Sequence, residues 1–90
     1  MKIKKGCSLY DVRGRKVIVN EEQENDSSNR LIYLNETAEF LWQEAERQQT
    51  FDVASLTNAL LAEYDVDTET AQTSVERTLN EWLQIGIILS

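Results

Sequence analysis

The sequence predicts an α+β fold in which an N-terminal three-stranded antiparallel sheet is followed by three helices. Three observations carry this. Before residue 35 the apolar residues fall in short β-prone runs; after it they recur at helical spacing; and a capping side chain stands at each point where a helix should begin. The ninety residues suffice for one domain with a single core, residues 1–34 forming the sheet part and 35–90 the helical part.

Leu9-Tyr10-Asp11-Val12 and Lys16-Val17-Ile18-Val19 read as two strands. The short Arg13-Gly14-Arg15 link supplies glycine where a tight hairpin needs a positive φ. Residues 20–29 are wholly polar, from Asn20 through Asn29, and read as a solvated loop. Leu31-Ile32-Tyr33-Leu34 is apolar, too short for a typical helix and rich in residues suited to a sheet, so it is the third strand.

Asn35 follows at once, with a side-chain oxygen able to accept an orphan backbone N–H at a helix start. The first helix runs from about Glu36 to Arg47, with Ala38, Leu41, Trp42 and Ala45 forming one apolar stripe. Asp52 can cap a second helix from Val53 to about Tyr64, with Leu56, Leu60 and Tyr64 on one face. Asp67 or Thr68 can cap the third, which ends near Ile85 with Gly86 just beyond it. Ala71, Val75, Leu79, Trp82 and Leu83 recur along that helix, and Ile87-Ile88-Leu89 is a short apolar tail. The helical half has the length and spacing of a winged helix-turn-helix. Trp42 and Trp82 are expected as core anchors, since each brings a large apolar area to bury.

Charge separates along the chain. Residues 1–19 hold six Lys/Arg against Asp11, a balance of +5; residues 20–90 hold three against fifteen Asp/Glu, a balance of −12 within the total of −7. A DNA-binding surface needs clustered cations, and the third helix sets Glu69, Glu76 and Glu81 against Arg77. The balance suits a protein or peptide partner better than nucleic acid.

The chain has no histidine and one cysteine, Cys7, which leaves no zinc site and no usual acid–base residue. Asp65-Val66-Asp67-Thr68-Glu69 lacks the central glycine and distal glutamate of a calcium loop, and capping accounts for these acids. With only Gly6, Gly14 and Gly86, there is no phosphate-binding loop. No base stands ready to activate a serine or threonine. The expectation is a protein that is not itself an enzyme and needs no cofactor. No membrane-length apolar run or secretory signal is visible, so the expected address is the cytoplasm.

Three blocks together resemble one family. They are Leu34-Asn35-Glu36-Thr37-Ala38 with Leu41-Trp42, then Leu60-Leu61-Ala62-Glu63-Tyr64-Asp65-Val66, then Val75 to Ile88 with its Gly86-Ile87-Ile88 end. Their order and spacing over residues 31–89 are similar to PqqD, the pyrroloquinoline quinone synthesis protein D, and related recognition elements for ribosomally made peptides. The sequence departs from the family pattern at Ser74 and Thr78 and in the turn Gln48-Gln49-Thr50-Phe51, which lacks glycine. The resemblance therefore specifies peptide recognition and leaves the product open, the quinone or another modified peptide.

The resemblance implies a partner of stated kind: the leader segment of a precursor peptide, which the domain holds while a modifying enzyme, often a radical SAM protein, acts on the rest. The leader would add as a strand to the edge formed by Arg30, Leu31, Ile32, Tyr33 and Leu34. The third helix would supply the other wall, with Ala71, Ser74, Thr78 and Ile85 along one flank and Arg77 placed to pair with an acidic leader residue. Arg77 could equally pair with Glu81 on its own helix. Two rivals stand beside this reading: a docking adaptor for an enzyme without any peptide ligand, with the basic hairpin as its patch, and a DNA-binding winged helix. The chain is expected as a monomer or as a dimer that exchanges strands.

Overall fold

The computed structural model describes residues 1–20 and 31–90. The chain runs β1 (Lys2–Ile3), β2 (Cys7–Val12), β3 (Arg15–Asn20), β4 (Leu31–Tyr33), α1 (Glu36–Gln48), α2 (Val53–Glu63), α3 (Thr68–Ile85) and β5 (Ile88–Leu89). The expected order of three antiparallel strands and then three helices holds in β2-β3-β4 and α1 to α3. The expected 20–29 loop lies outside the described residues except for Asn20. That residue is not loop: it ends β3 opposite Cys7 and is 8% exposed.

The β2–β3 hairpin is closed by Arg13 and Gly14 alone, both at positive φ (54° and 82°). Two left-handed residues give a turn whose twist matches the flanking strands. Asp11 reinforces it, accepting the Gly14 N–H at 2.9 Å and pairing with Lys16 at 3.1 Å.

Each helix begins as its sequence requires. Asn35 accepts the Ala38 N–H at 2.8 Å. Asp52 accepts the Ser55 N–H at 2.7 Å while Ser55 Oγ accepts the Asp52 N–H, a reciprocal capping box. Of the two candidates for α3, Asp67 is the cap, accepting from Thr70 at 2.9 Å. Gly86 terminates α3 in the left-handed region (φ 81°), and the Ile87 N–H returns to the Trp82 carbonyl at 3.1 Å.

The apolar tail at the C-terminus proved to be a strand. Lys2 and Ile3 pair with Leu89 and Ile88 in a separate two-stranded antiparallel sheet. Phe51 and Met1 exchange two further hydrogen bonds at the backbone, 2.7 and 2.8 Å. This seam joins both ends of the chain to the α1–α2 connection.

The core unites Leu41, Trp42 and Ala45 of α1, Leu56 and Leu60 of α2, and Val75, Leu79 and Trp82 of α3, with Ile18 from the sheet and Ile87 and Ile88 from the terminal seam. Both tryptophans are buried in it, as expected. Tyr64, assigned to the inner face of α2, sits just after that helix and is half-buried against Phe40, edge to face at 5.5 Å.

Candidate functional site: an open strand edge facing a helix

Among the described residues, in the order β2-β3-β4, β4 has a strand on one side only. The register pairs Val17 with Tyr33, Ile18 with Ile32 and Val19 with Leu31. One step further, Leu34 donates its N–H to the Lys16 carbonyl at 3.0 Å. Antiparallel ladders alternate, so opposite pairs that exchange hydrogen bonds flank pairs that do not. Leu34 and Ile32 therefore spend their backbone groups on β3. Leu31 and Tyr33 turn theirs outward, where a further strand could bind them.

Side chains alternate as well. Ile32 shares the face of Ile18 and packs against the core, whereas Tyr33 shares the opposite face with Val17 and is 58% exposed. Because the Asn35 cap turns the chain from β4 straight into α1, the first turn of α1 stands at the end of this edge.

Across from β4 runs α3. Val75, Leu79 and Trp82 are buried and fix the rotation of the helix, so that Ser74 and Thr78 lie half-buried on its flank and Ile85 stands 47% exposed. Between strand and helix is a groove of about 380 Å³. Ile32, Tyr33, Leu34 and Asn35 line one wall, and Ser74, Arg77, Thr78, Glu81 and Ile85 the other. Thr37 and Ala38 add the start of α1, and Trp82 contributes from the core. The short side chains of Ser74 and Thr78 leave room for a backbone, and Ile32, Leu34 and Ile85 offer apolar contact.

The anticipated site residues mostly converge. Ile32, Tyr33, Leu34, Ser74, Arg77, Thr78 and Ile85 all line the groove, and Leu31 belongs to the strand edge. Arg30 lies outside the described residues. Ala71 does not line the groove: it is 1% exposed and belongs to the core. Thr37, Ala38 and Glu81 were not anticipated in the groove, nor were the cap Asn35 and the core anchor Trp82. The Asn35 cap was the available signal for the first two, since it places the α1 first turn beside the strand end. Among the described residues the ion pairs are Lys16–Asp11 and Arg47–Glu44, so Arg77 is not paired with Glu81. The groove thus carries one guanidinium and one carboxylate, each without an ionic partner among those residues.

Residues 15–88 match the family described as Coenzyme PQQ synthesis protein D (PqqD), a span that reaches from β3 into β5. No curated protein matches the sequence. Two solved structures share the fold. One is described as "TbiB1 in Complex with the TbiA(beta) Leader Peptide", with a TM-score of 0.78 and 17% identity over 98% of this chain and 94% of that one. The other is "Lasso peptide synthetase B1 complexed with the leader peptide", with a TM-score of 0.77 and 18% identity over 99% and 96%. At such identities the likeness is one of fold. The sequence match covers β3, β4 and all three helices, and with it every described element that bounds the groove: this chain belongs to the PqqD family.

Proposed function

We propose that the protein is a non-catalytic leader-binding domain of the cytoplasm. It captures the leader of a ribosomally synthesised precursor peptide as an added strand on β4 and presents the rest of the peptide to a modifying enzyme, of the radical SAM type. The observation that carries this reading is the outward-facing backbone of Leu31 and Tyr33 beside a groove walled by α3. Edge amides and carbonyls supply affinity for any extended chain, and the groove supplies selectivity. The two similar solved structures, both complexes with leader peptides by description, support the same reading.

The groove's charged side chains among the described residues are Arg77 and Glu81, and the chain has no histidine. That set favours holding a peptide over transforming one. On α3, Glu69, Glu76 and Glu81 are exposed beside Arg77, which opposes placing this helix against phosphates.

The test is an NMR titration of the labelled protein with synthetic leader peptides from the short reading frames beside its gene. Saturable shifts centred on residues 31–38 and 74–85 are expected. Shifts confined to other surfaces, or none with any peptide but some with the neighbouring enzyme, would replace this reading with that of a docking adaptor.

A further inference from the structure

An added strand has two faces, and the groove receives only one of them. On the other side of the sheet, β4 presents Tyr33. The pairing register sets Tyr10 opposite Val17 and Val17 opposite Tyr33, a cross-strand row running from β2 to the open edge. Val17, at the centre of this row, is 0% exposed. The Arg15 guanidinium lies 5.5 Å from the centre of the Tyr33 ring, on the same face of the hairpin. Tyr33 nevertheless exposes 58% of its surface, the largest exposure among the bulky apolar residues described.

Among the described residues this row ends at β4, where no further strand follows. Residues directly opposite on neighbouring strands bring their Cβ atoms to about 4.5–5.5 Å, and aromatic or β-branched pairs there stabilise the sheet. Since Tyr33 turns its N–H and C=O outward, the incoming residue opposite it would be a hydrogen-bonded partner, held in place by two backbone bonds.

We propose that the leader is read on both faces of the added strand. The groove takes one set of side chains, and the leader residue paired with Tyr33 is aromatic or β-branched and packs on the Tyr33 ring as the fourth member of the Tyr10–Val17–Tyr33 row. This rests on strand addition at β4. It assigns to Tyr33 a selectivity that the groove alone does not provide, and it predicts a leader with an apolar residue on the side facing away from α3. The cation on Tyr33 further disfavours Lys or Arg at that leader position.

Titration calorimetry of the full chain tests this with the synthetic leader peptide that saturates the NMR shifts, and with serine replacements at each of its positions. Tyr33→Thr keeps a β-branched side chain and both edge backbone groups while removing the ring. At one peptide position, serine is expected to weaken binding to the wild-type protein about two- to fivefold. The same replacement should leave binding to Tyr33→Thr unchanged, the coupling that marks direct contact. If Tyr33→Thr binds every peptide as the wild type does, or weakens all of them by one common factor, the outer-face contact is wrong. Strand addition would still stand in that case if Tyr33→Pro abolished binding. Failure of the wild-type protein to bind any leader would overturn both.

Discussion

The indole rings of Trp42 and Trp82 meet edge to face, 5.3 Å between centroids and 84° between planes. Trp42 is wholly buried, while Trp82 also reaches the groove. The contact makes the helix that walls the groove continuous with the centre of the core, so the rotation of α3 and the shape of the site depend on it.

Trp42→Ala should therefore cost about 3–5 kcal/mol, as for other large aromatic deletions in a core, with urea denaturation as the measure. Trp42→Phe should cost much less. It retains most of the apolar volume and removes an indole N–H that has no hydrogen-bond partner among the described residues. Trp82→Ala should lose both stability and leader affinity, whereas Trp42→Phe should bind leader normally.

The alternation set by Leu34 and Lys16 separates two proline substitutions on one strand. Tyr33→Pro removes an outward N–H, so the sheet should remain while leader binding is lost. Ile32→Pro removes an inward N–H and should break the β3–β4 ladder itself. Circular dichroism and NMR would report intact helices in both variants, but retained β3–β4 contacts only in Tyr33→Pro. Equal leader affinity in Tyr33→Pro and the wild type would exclude addition at this edge.

What the sequence made legible was local. Asn35, Asp52 and Gly86 act on neighbours within a few residues, and the stripes on α1 and α3 follow helical spacing, so their positions could be read directly, whereas the α3 cap lay between Asp67 and Thr68. The β1–β5 pairing could not be, because it joins residues at opposite ends of the chain through strands of two residues each. Asn20 carries no strand signal of its own; its place in β3 comes from the hairpin register opposite Cys7. Ala71 stands seven residues before Thr78 and four before Val75, so spacing alone assigns it equally to the groove flank and to the core stripe. Packing decides: α2 is the closest helical neighbour of α3, and Ala71 falls within the shared core. The groove was legible on the α3 side by periodicity, but its α1 side depended on how strand and helix meet in space.

The hairpin turn contains a conformational conflict that substitution can relieve. Arg13 occupies a left-handed conformation that costs most residues about 1–2 kcal/mol and asparagine less. Arg13→Asn would give the Asn-Gly pair that suits this turn, and should raise stability by a few tenths of a kcal/mol to about 1 kcal/mol. Gly14→Ala, at φ 82°, should lower stability by about 1 kcal/mol although nothing lies within 4 Å of the added methyl. Urea midpoints of the two variants should move in opposite directions. A shared direction would mean that the turn is not of this type in solution.

Acid should loosen the start of α3 through Asp67. A side-chain hydrogen bond with Thr70 and then the Thr70 N–H hold this carboxyl below its ordinary value of 3.8. A folded value below the unfolded one means that the native state holds the ionised form more readily. The stabilisation is therefore fully present above the ordinary value and fades as pH falls through the lowered one. Asp67→Asn keeps a capping oxygen but cannot titrate. The two proteins should differ little at pH 7, and the stability of the wild type should fall more steeply below about pH 4. Asp11, held low by its hydrogen bond with Lys16, and Glu44, held low by Arg47, titrate in both proteins and leave a shared acid dependence. The difference between the two urea-midpoint curves isolates Asp67. Parallel curves down to pH 2 would show that the Thr70 bond does not favour the ionised form of Asp67 in the folded protein.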